Sequence, residues 1–300
     1  MIKFSTILGN SQKLDGGAMF GNAPKALWSR WTAADDRNRI NLACRGLLVE
    51  TNKSKILFET GVGAFMDPKL KDRYGIQESN HLLLESLQCL DLTHHDITHV
   101  VLSHLHFDHA GGLLSKWEKN KEPELLFPNA HFYVSANAWQ RANNPHDRDR
   151  TSFVQLLNQK LEESKRLITL NGHDILKIDD LEINFFESHG HTPGMICSDL
   201  RWEKWRLVFV ADLIPGIHWV HLPITMGYDR FSEELVNEKQ ILLSSIVKDN
   251  AWVFYTHDFE IALSKIAYDT QKQKFHSLDT IHFFERVSLD ELVKSHHSKF

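Results

Sequence analysis

Six consecutive residues, HLHFDH at 104–109, carry three histidines and an aspartate, and they stand directly after the apolar run ITHVVL at 97–102. Such a run, followed by Gly111 and Gly112, reads as a buried strand that ends in a turn. Side chains alternate along an extended segment, so His104 and His106 point to one side and two imidazoles can grip one cation. Asp108 and His109 follow where AGG (110–112) permits a sharp turn, so they can face a second cation nearby. The expectation is that glycine's access to positive φ lets the backbone crowd this close to a charged site. One such side chain alone reads as a hydrogen-bonded core residue; four within six positions after an apolar strand read as a metal site.

Around this cluster the chain alternates short strands and helices. The runs GLLVET (46–51) and KILFET (55–60) bracket the polar NKS and read as a hairpin. Next, SNHLLLESLQCLDL places Leu83, Leu87 and Leu90 at helical spacing with Ser79 as the N-cap. After the histidines, AHFYVS (130–135) reads as a strand, and 135–141 and 152–166 as helices. Strand-like runs then cover 173–178, 181–188, 194–200 and 206–212, followed by a helix at 233–247 and strands at 251–256 and 260–266. Residues 10–41 read as irregular. Two batches of strands, each followed by helices, predict sheets packed on one another with helices outside. At 300 residues and 42% hydrophobic, the chain reads as one domain over 1–300, with 1–45 as an N-terminal extension and 135–166 as a helical insertion beside the site.

Two cations need more ligands than one cluster supplies, and the other candidates also follow apolar strands. SHGHTPG (188–194) offers His189 and His191, VFVADLIPG (208–216) ends a strand in Asp212, and AWVFYTHDF (251–259) ends another in His257. The three cysteines, Cys44, Cys89 and Cys197, are far apart and lack CxxC spacing, so neither a disulfide framework nor a thiolate zinc site is expected. A formal charge of −5 with no long basic run argues against nucleic acid. No window approaches eighteen apolar residues and the N-terminus shows no secretory pattern, so no membrane partner and a cytoplasmic location are expected. The expected partner is a small-molecule substrate, and the chain is free to form a homodimer.

HLHFDH, GHTPG, AD after an apolar strand and THD, in this order, resemble the metallo-β-lactamase superfamily, over most of the chain from 47 to 266. The resemblance implies an α/β fold, the αββα four-layer sandwich of the metallo-β-lactamase type. It implies that His104, His106 and His191 hold one divalent metal ion, that Asp108, His109 and His257 hold another, and that Asp212 bridges them. Asp108 also counts among the catalytic candidates, and His189 falls outside the ligand pattern and supports the turn. Where the family has Asp-Thr-Gly, this chain has ETG (59–61), so Glu59 is expected as a hydrogen-bond acceptor behind the ligands. Two dications sharing a water make a hydroxide near neutral pH. Ligands without thiolates suit zinc and also accommodate iron, manganese or cobalt.

Within the superfamily, SHLHFDHAGGL, LPITMGYD and WVFYTHD are similar to the quorum-quenching lactonases, which open N-acyl homoserine lactones. The expected reaction is therefore lactone opening by a metal-bridging hydroxide. Many members of that branch carry a Tyr three residues after the bridging Asp, and this chain has Pro215 there. Tyr228 is the expected catalytic substitute, and His218, Trp219 and His221 are the expected substrate-binding residues of the same aromatic loop. The alternatives on the same site are a phosphotriesterase and a thioesterase of the glyoxalase II type. A non-hydrolytic metal-binding sensor or redox protein is the alternative from another class.

Overall fold

The computed structural model describes residues 2–297. Six strands form one sheet in the spatial order Lys3–Leu8, Arg45–Glu50, Lys55–Phe58, His99–Val101, His131–Ser135, Leu167–Leu170; seven form the other in the order Lys274–Ile281, Leu263–Asp269, Trp252–Phe254, Trp205–Phe209, Met195–Trp202, Leu181–Ser188, Ile175–Ile178. The period-two alternation of the strands builds the layers. In Arg45–Glu50, Leu47 and Val49 point into a core shared with Ile183, Cys197, Phe209 and Phe254 of the other sheet. Leu48, between them, points the opposite way, into a core with Leu83 and Leu87 of the helix Leu82–Cys89 and Leu157 and Leu161 of the helix Gln155–Ser164. The helix Ser232–Lys248 covers the second sheet through Leu235, Leu242, Leu243 and Ile246. The result is the expected helix–sheet–sheet–helix sandwich.

Strand direction explains where the site sits. Lys55–Phe58 runs parallel to His99–Val101, and Trp205–Phe209 runs parallel to Trp252–Phe254. Parallel neighbours end at the same sheet edge, so each pair delivers the residues after it to one rim. The rims are tied across the sheets. Arg45 is buried and donates through Nη1 to Tyr255 O, Asp258 O and Ile261 O at 3.2, 2.5 and 3.1 Å.

Several local expectations change. Residues 10–41 are ordered rather than irregular: Gln12–Asp15 and Arg39–Leu42 pair as an antiparallel ribbon, with short helices at Gly16–Phe20 and Lys25–Trp28 between them. The strands are only four residues long and half-exposed, which leaves little hydrophobic period to read. Ser79 does not cap the helix at Leu82; Asn10 Oδ1 accepts from Leu82 N at 3.1 Å instead. A further edge strand, Lys274–Ile281, lies beyond the last predicted one, hidden by its mostly polar, exposed sequence.

Candidate metal centre

The seven residues named as ligands from the sequence come together at the rim, all buried. His104, His106 and His191 form one trio, and Asp108, His109 and His257 another, each with its ligand atoms within 4.8 Å of one another. In the first, His106 Nδ1 lies 2.9 Å from His104 Nε2 and 3.3 Å from His191 Nε2. In the second, His109 Nε2 and His257 Nε2 are 3.1 Å apart, and the Asp108 carboxylate reaches within 3.8 Å of His109 and 3.7 Å of His257. Asp212 lies between the trios: Oδ2 is 3.2 Å from His191 Nε2 and 3.4 Å from His109 Nε2, and Oδ1 is 3.2 Å from His257 Nε2.

The outer contacts fix which nitrogen of each ring is free. His257 Nδ1 lies 2.7 Å from Ala43 O, which can only accept, so Nδ1 carries the proton and Nε2 keeps a lone pair. His191 Nδ1 donates to Asp229 Oδ1 at 2.9 Å and His109 Nδ1 to Glu59 Oε2 at 2.6 Å. His109 Nε2 and His257 Nε2 thus turn lone pairs toward each other, an arrangement that needs a cation or a proton between them. The residues fit a metal. Burial disfavours protonation of His104 and His106, reinforced by the neighbouring imidazoles, and holds both well below the usual histidine range. For His109, burial is outweighed by Glu59, Asp212 and Asp108, and for His257 by Asp212, so both are held well above it. The negative field that draws a proton there draws a metal ion as well.

Glu59 does more than its position suggested. Its Oε1 accepts from Ser103 Oγ while Oε2 holds His109, and it adopts a left-handed φ of 62° to do so. The tight turn at 110–112 has a different cause from the expected one. Gly111 has a φ of −64°, so positive φ is not needed there; a Cβ on Gly112 would collide with Thr60 O, and one on Gly111 with Val62 O. Close backbone approach, not conformation, demands the glycines.

A pocket of about 200 Å³ opens onto both trios, with Leu14, Met19, Leu42, Met226, Arg148, Arg230 and Tyr228 among its lining residues. Tyr228 is 40% exposed, and burial followed by the charges of Asp108 and Asp15 pushes its phenol up to about 12. His218 and Trp219 line a separate cavity that touches His257 from another side, where Trp219 stacks on Phe20 at 4.5 Å and His218 on Trp31 at 5.3 Å. The His221 side chain is exposed and its carbonyl accepts from Lys239. Sequence reading missed Gln12, which donates to Asp108 Oδ2 at 2.7 Å from the N-terminal ribbon. It also missed Asp229 behind His191, and Glu238, which accepts from Ser188 Oγ, His189 N and Gly190 N. Asp229 closes the LPITMGYD motif without its role being readable there, and Gln12 and Glu238 sit in no local motif; only the fold brings them in.

The family model of the metallo-beta-lactamase superfamily matches residues 42–257, a span that contains all seven of these side chains. The chain is similar to a probable metal-dependent hydrolase from Staphylococcus aureus, with a TM-score of 0.81 and 25% identity over 96% of this chain and 98% of that one. It shares its fold with AidC, a dizinc quorum-quenching lactonase, at TM-score 0.71 and 22% identity over 92% and 94% of the two chains. By sequence it is 24% identical over 195 residues to the acyl-coenzyme A thioesterase MBLAC2 of Bos taurus, an alignment covering 62% of each chain and so less than two thirds of that relative's length.

Proposed function

The chain belongs to the metallo-beta-lactamase superfamily and is a hydrolase of that superfamily, and from that premise we propose that it cleaves an acyl bond, a lactone such as an N-acyl homoserine lactone first, with two divalent metal ions. The observation that carries this is Asp212, whose two oxygens reach across to imidazoles of both trios. His104, His106 and His191 would hold one ion and Asp108, His109 and His257 the other, with Asp212 in reach of both. Two dications held there, zinc by the donor set, would supply an acidified water and a Lewis acid for a substrate carbonyl.

The chain's own residues do the rest. Asp229, Glu59 and Ala43 O hold the rings of His191, His109 and His257 so that their inner nitrogens carry no proton at neutral pH once cations compete for them. Gln12 fixes the Asp108 carboxylate. Tyr228, its phenol protonated far above neutrality, donates a hydrogen bond to the carbonyl oxygen as negative charge develops on it. Leu14, Met19 and Leu42 form the apolar wall that receives an acyl group and keeps water off it. A thioester is the second reading, favoured by the likeness to a thioesterase.

The test is metal analysis followed by a substrate panel of N-hexanoyl homoserine lactone, an acyl thioester and a phosphotriester. Two ions per chain are expected, with acyl-bond hydrolysis that is lost to a chelator and restored by metal. At most one ion with no second on titration, turnover of the phosphotriester alone, or no turnover by the two-metal protein would each overturn the proposal.

A further inference from the structure

The pocket that opens onto the candidate metal centre is also lined by two arginines. Arg148 and Arg230 both line it, and among the described residues neither guanidinium lies within ion-pair distance of a carboxylate, whereas their neighbour Arg141 is bound to Asp149 at 2.7 Å. Asp149 is buried, and its Oδ2 already takes both Nε and Nη2 of Arg141. Arg148 comes from the loop between the helices Ala136–Asn143 and Gln155–Ser164, and its Nη2 donates to Gly227 O at 3.2 Å, one residue from Tyr228. Arg230 follows Tyr228 by two positions, is half-buried, and has its backbone N on His191 O at 3.1 Å. Arg230 is anchored through its backbone and keeps its guanidinium, while Arg148 commits Nη2 to Gly227 O and keeps Nε and Nη1 for a ligand. Two guanidiniums lining one pocket, neither in an ion pair among the described residues, match the planar geometry of a phosphate or carboxylate.

We propose that Arg148 and Arg230 form an anion clamp, and that the substrate is an acyl thioester or ester whose leaving group carries a phosphate or carboxylate, its acyl group lying against Leu14, Met19 and Leu42. This rests on the acyl-hydrolase reading above and selects among its substrates, because a neutral lactone offers the clamp nothing. The pocket lining is amphiphilic in the same sense, with Leu14, Met19 and Leu42 for an acyl group and Arg148 and Arg230 for an anion.

The test holds the scissile bond and acyl chain constant and varies only the charge of the leaving group. S-hexanoyl-coenzyme A carries phosphates, S-hexanoylglutathione carboxylates and S-hexanoyl-N-acetylcysteamine no charge; N-hexanoyl homoserine lactone is the neutral lactone arm. In the metal-loaded wild type, kcat/KM is expected to be highest for one of the two anionic thioesters, and which one identifies the anion. In Arg148→Ala/Arg230→Ala the ratio of kcat/KM for that substrate to the neutral thioester is expected to fall roughly 10- to 100-fold, the range for hydrogen bonds to charged groups, mainly through KM. If the double variant does not fold, Arg148→Ala alone carries the test, since that side chain is exposed. Equal kcat/KM for charged and neutral thioesters, an unchanged ratio in the variant, or lactone turnover with no thioester turnover would overturn the clamp and leave the hydrolase standing. No turnover of any of the four would overturn the hydrolase reading and the clamp with it.

Discussion

Lys239 is completely buried in the helix Ser232–Lys248, where its ammonium donates to Ile224 O at 2.8 Å and His221 O at 3.3 Å and so ties the loop after Asp212 to the helix. Burial, opposed only in part by Asp229, lowers its pKa from the usual 10.5 to about 7. Above pH 7 the folded chain therefore carries this lysine neutral while the unfolded chain still binds the proton. A state that binds more protons when unfolded gains folding stability as pH rises. The window runs from about pH 7, the folded value, up to the unfolded value near 10.5; below pH 7 both states are protonated and the slope vanishes. Three pH units at about 1.4 kcal/mol each give a gain of about 4 kcal/mol between pH 7 and 10. Replacing Lys239 by Met removes the titration, and with it both carbonyl contacts. Urea unfolding of wild type and Lys239→Met, at matched metal content and at each pH from 6 to 10, isolates the effect as a difference, because the other titrating groups are common to both. The wild type is expected to gain on the variant steadily above pH 7. A difference that stays level across that range would refute the reasoning and mean that the lysine is not held uncharged.

Asp229→Ala removes the partner of His191 Nδ1 and the acceptor of Met226 N; metal affinity measured by chelator competition is expected to fall roughly 10- to 100-fold with the fold retained, and an affinity within error of wild type would count against Asp229 as the orienting group. Tyr228→Phe keeps the ring and deletes only the hydroxyl, so turnover of the best acyl substrate is expected to drop roughly 10²-fold; an unchanged kcat would leave stabilisation of the oxyanion to the metal ions alone.

What the sequence made legible and what it hid divide along a physical line. His104, His106, Asp108, His109, Asp212 and His257 each follow an apolar strand within a few residues, so local pattern nominates them, and parallel pairing within each of the two sheets brings them to a common rim. The layers were equally open to reading, because Leu47, Leu48 and Val49 alternate between two cores as a period of two requires. The groups that orient the centre are different. Gln12 meets Asp108 across 96 positions of chain and Glu238 meets Ser188 across 50. Each is a polar residue in a stretch with no signal of its own: the four-residue ribbon strand for Gln12, one turn of a long helix for Glu238. Arg148 and Arg230 likewise read as ordinary surface cations until the fold places them on one pocket without carboxylate partners.

The pair His189 and His191 shows why spacing could nominate ligands without choosing between them. Both follow the strand Leu181–Ser188, and both have the side chain for the role. The decision is made by a helix forty residues on. Glu238 accepts from Ser188 Oγ at 2.6 Å, His189 N at 2.7 Å and Gly190 N at 3.1 Å, which curls the chain around one carboxylate as it leaves the sheet. The curl presses Gly190 against the backbone of Leu235 in the same helix, where a Cβ would collide, so only glycine permits it. His189 is turned outward and accepts from Gly194 N at 3.2 Å, closing the Thr-Pro-Gly turn. His191 is turned inward, onto Asp229 on one side and the other two imidazoles of its trio on the other. Two histidines of equal standing in the sequence therefore acquire opposite roles from a buried glutamate and a missing β-carbon.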